Sequence, residues 1–489
     1  MDASLVRGLQ ATAARFPEKP VLLAERAALT WRELGLLAGR LARALAAGGV
    51  GPGDRIALGI PNRPAFVVAL LAGWEVGATV APLDTLLKED ERQEILRDLR
   101  PSMVLTAEDI AGVEAAPAGG TGAGPVRVSS RAAEPDLVPT PECGSAPALV
   151  LYTSGSTGRP KGAVLSHPAV AFANASWAGP VMGLGPDDTV LAALPCAHSF
   201  GLNGALLAPL LVGASVVLVE RFSPEAVLRA IAQYRVTVFP GVATMFRRIL
   251  DAPALAHADL SSLRLAVSGA APCPWELAEE WRRRTGTRIL RGYGMTELFR
   301  PISYLAHESA DHPDAVGRPV PGVEVRVVDE AGRPLAPGEV GELWVRTPAA
   351  MSGYLNAPDE TAAILRDGWF RTGDLAAISP AGFVRIAGRK RERILRGGYS
   401  IFPQEVEAVL LTHPAVAEAA VLGVAHPELG EEVVAFAALR PGARAEPEEL
   451  VAYCRDRLAP FKYPRRVTIV ERLPRARTGK VTRAGLGES

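Results

Sequence analysis

Apolar residues in the first third of the chain alternate between helical and strand-like spacing. The segment WRELGLLAGRLARALAAGGV, residues 31–50, has helical spacing and ends in two glycines, so it predicts an amphipathic helix. DRIALGIPN (54–62) and TVAPLD (79–84) predict buried strands, and FVVALLAGWEVGA (66–78) between them predicts a helix. A strand–helix–strand order of this kind predicts a parallel sheet.

The same alternation continues further along the chain. PALVLYTS (147–154) predicts a buried strand, and SPEAVLRAIAQYR (223–235) predicts a helix in which Ser223 is the N-cap and Pro224 lies in the first turn. Residues 114–147 are rich in Ala, Gly, Pro and Ser and lack apolar periodicity, which predicts a surface loop. The pattern favours an α/β protein with largely parallel, mixed α/β layers.

The pattern changes in the last third of the chain. From about Gly322 short strands and turns predict a β-rich subdomain, and after FVRIAGRKRERI (383–394) two helices and two strands predict a small α+β domain. We therefore predict a large N-terminal domain over residues 1–388, which includes the β-rich subdomain, and a small C-terminal domain over residues 389–489.

Composition narrows the function classes. The 489 residues are 48% hydrophobic, and 53 basic residues balance 53 acidic ones, so no basic excess favours nucleic acid or an anionic membrane surface. The four cysteines form no C-x-x-C pair, which fits a reducing cytoplasm. The N-terminus lacks the apolar core of a secretory signal, and prolines and glycines interrupt the uncharged stretch Thr189–Val219, so we expect no membrane span.

One loop carries candidate chemistry. TSGSTGRPKG (153–162) directly follows a predicted buried strand, which disfavours a plain linker. It is not a Walker A loop, because Lys161 follows Pro160 and precedes Gly162 instead of Ser or Thr. What remains is an open loop of backbone N–H groups, hydroxyls and one ammonium. Such a nest suits the terminal phosphates of a nucleoside triphosphate and a leaving pyrophosphate.

Further motifs occur in a fixed order along nearly the whole chain. They are GYGMTE (292–297), RTGDL (371–375), GRKRERILRGGYSIFPQEVE (388–407) and RTGKV (477–481). Together with the loop, they resemble the adenylate-forming superfamily, which includes acyl- and aryl-CoA synthetases, adenylation domains of nonribosomal peptide synthetases, and luciferases. The resemblance implies a mobile C-terminal domain, and ATP, Mg²⁺ and CoA as cofactor or co-substrates.

The resemblance also implies residue roles. Thr296 would touch the α-phosphate, Glu297 would hold Mg²⁺, and Lys480 would bridge the α-phosphate and the substrate carboxylate. Gly397 and Gly398 would belong to a loop that acts in the thiol step. The β- and γ-phosphates would be held by Thr153, Ser154, Gly155, Ser156, Thr157, Gly158 and Lys161. Adenine and ribose would be contacted by Gly269, Ala270, Ala271, Tyr293, Asp374 and Arg389.

Three of these residues also have an ordinary structural interpretation. Glu297 could complement a helix N-terminus, Asp374 could be a turn residue, and Lys480 could be a solvated lysine. The ordered set of motifs favours the functional roles. Lysine is also scarce, at six of the 53 basic residues, so a lysine indicates a position where a compact ammonium is needed.

The implied reaction has two steps. A carboxylate attacks the α-phosphate of ATP, forms an acyl-adenylate and releases pyrophosphate, and a thiol then displaces AMP. Because the first step brings one anion onto another, it requires cations and hydrogen-bond donors where charge develops.

The segment PCAHSFG (195–201) bears on the acid. It lacks the aspartate with which amino-acid-activating relatives pair the substrate ammonium, so an amino acid is disfavoured. The resemblance places His198 near the substrate carboxylate, with a buried core histidine as the alternative. A fatty or other hydrophobic small-molecule acid is expected, because the candidate pocket residues are mostly apolar: Phe200, Asn203, Val242, Met245, Gly294 and Met295.

Arg300 is a further candidate in this region. It follows Glu297 by three residues and either pairs with a second carboxylate or a polar group at the far end of the acid, or points to solvent or to an acidic residue such as Glu308. Two alternatives to a CoA ligase stay open. One is a fatty-acyl-AMP ligase that delivers to a carrier protein, although no inserted segment typical of that group is visible. The other is a non-catalytic nucleotide-binding protein on the same fold.

Overall fold

The structure is a computed structural model of the 489-residue chain. It describes residues 5–25, 27–110, 144–154, 160–308, 312–396, 399–475, 481 and 486, with the backbone alone for Ser154, Arg391 and Ser400. The chain folds as two compact units. The first comprises Met1–Glu324 and Arg346–Phe370, and the second comprises Val325–Val345 and Arg371–Ser489. The boundary expected at residue 388 stays a prediction.

Helices occur throughout the described chain. Among the described residues, π-helix forms at Trp177–Val181 and Gly201–Leu207, and 3₁₀-helix at Glu108–Ile110, Pro253–His257 and Lys390–Glu392. The α-helices are α1 (Leu5–Arg15), α2 (Trp31–Ala47), α3 (Pro64–Glu75), α4 (Glu89–Leu99), α5 (His167–Ser176), α6 (Ala208–Val212), α7 (Pro224–Tyr234), α8 (Ala243–Asp251), α9 (Trp275–Thr285), α10 (Pro358–Ile364), α11 (Pro403–Leu411) and α12 (Pro447–Arg455).

Strands alternate with these helices in the first unit and predominate in the second. They are β1 (Pro20–Ala24), β2 (Ala27–Thr30), β3 (Arg55–Gly59), β4 (Thr79–Pro82), β5 (Met103–Thr106), β6 (Pro147–Ser154), β7 (Pro160–Ser166), β8 (Thr189–Ala192), β9 (Ser215–Leu218), β10 (Val238–Gly241), β11 (Leu265–Ser268), β12 (Ile289–Leu290), β13 (Gly292–Met295), β14 (Phe299–Ser303), β15 (Arg318–Pro319), β16 (Glu324–Val328), β17 (Gly341–Arg346), β18 (Gly353–Tyr354), β19 (Leu365–Arg366), β20 (Trp369–Ile378), β21 (Val384–Arg389), β22 (Ile394–Arg396), β23 (Tyr399–Ile401), β24 (Val416–His426), β25 (Gly430–Leu439) and β26 (Arg466–Val470).

Two larger sheets and one small sheet build the first unit. One has the strand order β12-β11-β10-β8-β9-β1-β2, in which all neighbours pair in parallel except β1 and β2. The other has the order β18-β7-β6-β4-β3-β5, in which β6, β4, β3 and β5 are parallel. The antiparallel strands β13, β14 and β15 form the small sheet. Because parallel strands end at the same edge of a sheet, ligands bind there in open α/β folds.

Local sequence accounts for the ends of the predicted helices. Thr30 caps α2, its side chain accepting from the Glu33 N–H while the Glu33 carboxylate accepts from the Thr30 N–H, which is a capping box. Ser223 caps α7 and Pro224 begins it, as the sequence predicts. Helix α7 ends where Arg235 adopts φ 52°.

The apolar faces of these elements form a core beside the seven-stranded sheet. It is built around Phe239, Phe246 and Trp281, whose rings meet at centroid distances of 4.9–6.4 Å. Edge-on contacts between aromatic rings stabilise the fold beyond the contribution from burying their apolar surface. This packing fixes β10 and β11 to the helices on one face of the sheet.

Antiparallel pairs and the parallel pair of β25 with β26 occur among the described residues of the second unit. Strands β20 and β21 pair antiparallel in the sheet that also contains β16 and β17. The sheet β23-β22-β25-β24, with β26 parallel to β25, packs against α11 and α12 around an apolar core. The expected α/β class, with β-rich and small α+β parts, is confirmed.

Two expectations concern single segments of the chain, a predicted loop and a long uncharged stretch. Most of the predicted loop at 114–147 lies outside the described residues. The long uncharged stretch Thr189–Val219 contains β8, the π-helix Gly201–Leu207, α6 and β9. Within the described part of the chain, no helix combines the length and the apolar character that crossing a lipid bilayer requires.

His167, the first residue of α5, generates a prediction about stability. Its side chain is 2% exposed, its Nδ1 has no partner among the described residues, and its ring meets Trp74 edge-on at 5.9 Å. Burial lowers the pKa of His167 to about 4. Between pH 6.5 and 4 the unfolded chain therefore binds more protons than the folded one, so the free energy of unfolding falls as pH decreases.

We expect His167→Phe to remove this pH dependence. The variant keeps a ring beside Trp74, and the wild type should lose roughly 3 kcal/mol relative to it between pH 6.5 and pH 4. Urea unfolding followed by tryptophan fluorescence at several pH values measures the difference. Parallel stability curves for the two proteins would show that His167 titrates normally in the folded state.

Candidate functional site

The phosphate-loop residues are carried by a β-hairpin. In the β6–β7 pair, Thr153 lies opposite Lys161, and Ser154 lies opposite Pro160. The Lys161 side chain forms an ion pair with Glu360, and its Nζ lies 5.4 Å from the ring centroid of Tyr354. Strand β7 begins at Pro160, so the residues after the loop form a strand and not the helix of a Walker A site.

Tyr354 also contacts the carboxylate that the sequence assigns to the metal. Glu297 lies in the tight turn after β13, is 8% exposed, and accepts a 2.7 Å hydrogen bond at Oε1 from the Tyr354 hydroxyl. Burial and the adjacent Glu297 carboxylate raise the pKa of Tyr354, so the hydroxyl stays a donor at neutral pH. One aromatic side chain therefore contacts both Lys161 and Glu297.

The backbone around Tyr354 reinforces this connection. The N–H of Met351 donates to the Glu297 carbonyl at 2.8 Å, and the N–H of Leu355 donates to the Gly162 carbonyl at 2.7 Å. Residues 351–355 thus bond to the metal-candidate turn at one end and to β7 at the other. This segment fixes the distance between the candidate phosphate and metal residues.

The site fits a magnesium ion that arrives with a nucleotide. Among the described residues no donor reaches Glu297 Oε2, and no group of three or more His, Cys, Asp or Glu side chains could hold a metal ion. Mg²⁺ is commonly bound by one or two carboxylates together with substrate phosphates and water. One oriented carboxylate with a free oxygen meets the protein's share of that requirement.

His198 follows β8 and meets an aspartate from the other sheet. Its Nε2 lies 2.8 Å from Oδ2 of Asp84, which lies two residues after β4. The hydrogen bond from His198 lowers the pKa of the Asp84 carboxyl against the opposing effect of burial. Asn62 fixes the same loop, because its amide contacts the carbonyls of Ala192 and Leu194 and the N–H of Cys196. His198 is thus an oriented side chain, and its side chain is 38% exposed.

The segment after β11 approaches the same carboxyl edge. Gly269 is buried, while Ala270 is exposed at φ 63°, a left-handed conformation that costs free energy for a residue with a Cβ. Phe299, between Glu297 and Arg300, has φ 56°. Ala271, Tyr293 and Thr296 are partly exposed. Strained backbone of this kind concentrates at functional sites.

Asp374 and Arg389 belong to the second unit. They are opposite each other in the β20–β21 pair, and Arg389 Nε lies 3.2 Å from Asp374 Oδ1. Asp374 is 5% exposed, and its N–H donates to the Thr372 hydroxyl. The two residues that the resemblance assigns to the ribose are therefore neighbours.

Several assigned residues lie outside the described part of the chain. They are Gly155, Ser156, Thr157, Gly158, Gly397, Gly398 and Lys480, and the side chain of Ser154 belongs with them. Their roles stay predictions.

The pocket candidates require corrections. Asn203 is fully buried, with Oδ1 accepting from Asn174 and Nδ2 donating to the Ser199 carbonyl, so its amide is occupied within the core. Met245 is 6% exposed in the same core as Phe246. Phe200 is partly buried and stacks on Trp177 at 5.3 Å. Arg300 points neither to solvent nor to Glu308. Its side chain is buried, at 7% exposure, and donates to the Ser268 carbonyl.

Sequence reasoning missed Asp84 and Tyr354. Asp84 ends the segment TVAPLD, and a polar residue just beyond a buried parallel strand is a signal for the ligand edge. Tyr354 lies in GYLN, residues 353–356, within a region that the sequence assigned only to short strands and turns. No spacing pattern connects it to Glu297, which lies 57 residues earlier.

Comparison with known proteins adds an independent finding. The family model described as AMP-binding enzyme matches residues 9–355, and that described as AMP-binding enzyme C-terminal domain matches residues 405–480. A feruloyl-CoA synthase from Amycolatopsis sp. is 39% identical over 93% of this chain and 92% of its own length.

Two further matches extend over nearly the whole chain. A long-chain-fatty-acid–CoA ligase from Bacillus subtilis is 32% identical over 98% of this chain and 93% of its own length. The crystal structure of ATP-bound MatB from Rhodopseudomonas palustris superposes with a TM-score of 0.88, at 30% identity, and covers 100% of this chain and 99% of that one.

The Asp84 contact generates a prediction about the His198 tautomer. Asp84 Oδ1 accepts from the Leu86 N–H at 2.9 Å, so an asparagine at position 84 would keep its carbonyl oxygen there and turn its NH₂ toward His198. We expect Asp84→Asn to make His198 Nε2 an acceptor, with the proton on Nδ1, whereas in the wild type Nε2 donates to the carboxylate. Histidine ¹⁵N NMR shifts measure the tautomer, with His198→Gln identifying the resonances. The same tautomer in both proteins would contradict the expectation.

Proposed function

The chain belongs to the AMP-binding enzymes and is an AMP-forming acid–CoA ligase, and on that premise we propose that it activates a fatty or other hydrophobic carboxylic acid. Both relatives named above support the proposal, since one is a feruloyl-CoA synthase and the other a long-chain-fatty-acid–CoA ligase.

The observation that carries the proposal is the position of Tyr354 between Lys161 and Glu297. Tyr354 thus holds Lys161, our candidate cation for the terminal phosphates, close to Glu297, our candidate ligand for their metal. The arrangement suits transfer of the adenylyl group, in which a substrate carboxylate oxygen bonds to the α-phosphorus of ATP and the bond from that phosphorus to pyrophosphate breaks. Mg²⁺ would neutralise phosphate charge during that step.

The remaining roles follow the family assignment. We propose that Thr153, Ser154 and the loop 155–158 bind phosphate through N–H and hydroxyl groups, that Thr296 contacts the α-phosphate, and that Lys480 bridges it to the carboxylate. Asp374 and Arg389 would bind the ribose, and Gly269, Ala270, Ala271 and Tyr293 would bind the adenine.

We propose that His198 acts on the acid and that the loop Gly397–Gly398 acts in the thiol step. His198, oriented by Asp84, would face the substrate carboxylate, and 38% of its side-chain surface is exposed. The CoA thiol would then attack the acyl carbon, and the bond to AMP would break. We place the reaction in a reducing cytoplasm, because Cys196 and Cys454 are thiols and not disulfides among the described residues.

ATP–pyrophosphate exchange across a panel of carboxylic acids tests the proposal, followed by a CoA-consumption assay on the best acid. Exchange with CoA consumption is the expected result. Exchange without CoA consumption would identify an acyl-AMP ligase that delivers to another thiol, such as a carrier protein. ATP binding without exchange for any acid would identify a non-catalytic nucleotide-binding protein.

Tyr354→Phe tests the residue that connects the two halves of the phosphate site. The variant keeps the ring beside Lys161 but removes the hydrogen bond to Glu297 Oε1. We expect the Mg²⁺ concentration for half-maximal exchange to rise roughly 10-fold to 100-fold, as for other residues that orient a metal ligand.

Tyr152→Phe is the matched control. Tyr152 also donates to a carboxylate, Asp98, at 2.7 Å, and neither of these residues contacts Glu297. The control should lose stability without changing the Mg²⁺ dependence. The same Mg²⁺ dependence in Tyr354→Phe and the wild type would show that Tyr354 only supports the fold.

Lys480→Ala should separate the two half-reactions. We expect adenylation to slow by about 10²–10³, because a charge contact in the transition state is lost, whereas transfer from supplied acyl-adenylate to CoA should continue. Lys462→Ala is the control, since Lys462 pairs with Glu405 and is assigned no part in the reaction. Equal losses in both half-reactions would reject the assigned role of Lys480.

A further inference from the structure

Arg300 lies where two parallel strands of the seven-stranded sheet end. Its Nη1 donates to the carbonyl of Ser268, the last residue of β11, at 2.7 Å, and its Nη2 to that of Leu290, the last residue of β12, at 3.3 Å. Nε donates to the Ser303 hydroxyl at 2.9 Å. The guanidinium therefore lies at the carboxyl edge, where α/β folds bind their ligands.

No carboxylate neutralises this buried cation within the described residues. Glu308 is engaged elsewhere, because its Oε2 accepts from the Leu305 N–H at 2.7 Å, and Glu297 accepts from Tyr354. Burial lowers the pKa of Arg300, yet a guanidinium remains charged at neutral pH. A buried charge without a counter-charge is costly unless something else compensates it.

The hydrogen-bonding capacity of the group is also incomplete. A guanidinium has five N–H donors, and among the described residues one hydrogen bond forms from each nitrogen of Arg300. The adjacent Ser268 hydroxyl is 1% exposed and has no partner in the described part of the chain. Two N–H groups of Arg300 and the Ser268 hydroxyl thus stay without partners among the described residues, and an oxyanion with two oxygen atoms would supply acceptors for both N–H groups.

The surroundings indicate that the acceptor comes from a ligand. A Cβ at position 269 would lie 3.0 Å from the Phe200 ring and 3.2 Å from Arg300 Nη1, so Arg300 and Phe200 both border the segment that begins at Gly269. The guanidinium lies 5.0 Å from the Trp177 ring centroid, on which Phe200 stacks. Trp177 begins one π-helix and Phe200 precedes the other, and π-helical turns are frequent at functional sites.

We propose that Arg300, with the Ser268 hydroxyl, binds a second carboxylate or equivalent oxyanion at the far end of the acid substrate. The inference rests on the proposed ligase function and narrows its substrate to an acid with an apolar body and two anionic ends. Because three residues span at most about 10 Å, Glu297 and Arg300 belong to one small site, and the acid should be short.

The test compares each member of a homologous series of dicarboxylic acids with the monocarboxylic acid of equal chain length, in ATP–pyrophosphate exchange. We expect the wild type to prefer a diacid. Arg300→Met should lower kcat/KM for that diacid by about 10-fold to 100-fold, the loss of a charged hydrogen bond, and spare the monoacid. Arg300→Lys should recover part of the diacid activity.

Two variants separate recognition from stability. Arg291→Met removes another buried arginine, which donates to the carbonyls of His312 and Pro313 and lies 4.9 Å from the Trp275 ring, so it should lower the melting temperature without changing the diacid preference. Ser268→Ala keeps the carbonyl that Arg300 uses and should lower kcat/KM for the diacid several-fold. If Arg300→Met fails to fold, Ser268→Ala alone tests whether this site binds the second carboxylate.

The outcomes distinguish this inference from the function on which it rests. A wild type that exchanges monoacids but shows no diacid preference at any chain length overturns the subsite and leaves the ligase function intact. An unchanged diacid-to-monoacid ratio in Arg300→Met and Ser268→Ala also overturns it, and assigns Arg300 to joining strand ends. Absence of exchange with every acid overturns the ligase function and the subsite together.

Discussion

Parallel pairing of strands brings every carboxyl end to one edge of a sheet, since each crossover must return the chain to the opposite edge before the next strand begins. In the first unit this constraint operates twice. The seven-stranded sheet delivers His198, Gly269 and Arg300's acceptors to its carboxyl edge, and the six-stranded sheet delivers Asp84. The 2.8 Å contact between Asp84 and His198 joins the two edges.

The polar groups at this edge are ordered because burial leaves them few alternatives. A buried carboxylate or cation that finds no partner destabilises the folded state. Glu297 obtains one from the Tyr354 hydroxyl, and Arg300 obtains carbonyls at the ends of β11 and β12. In each case part of the hydrogen-bonding capacity stays uncommitted within the described residues. The fold thereby fixes the positions of charged groups without satisfying them completely.

Much of the fold was predictable because its signals are local. The capped helices α2 and α7 and the buried strands β3, β4 and β6 follow from periodicity, capping residues and strand composition within short windows. The resemblance assigned Asp374 and Arg389 to one ribose, and the two residues are neighbours in the β20–β21 pair. Tyr354 and Asp84 were missed because their contacts connect residues 57 and 114 positions apart, and spacing patterns contain no information about such pairs. The interior position of Arg300 depends on three carbonyl and hydroxyl acceptors that only the folded sheet assembles.

Gly292 has a consequence for how such a site can change through evolution. A Cβ at this position would lie 2.3 Å from Arg300 Nη2, closer than any side chain tolerates. Any residue other than glycine at position 292 therefore displaces the guanidinium, the flexible end of the Arg300 side chain, whereas Arg300 can be replaced while Gly292 remains. The coupling between the two positions is one-sided: a side chain at position 292 disturbs the hydrogen bonds of Arg300 to Ser268 and Leu290, but a change at position 300 places no demand on Gly292.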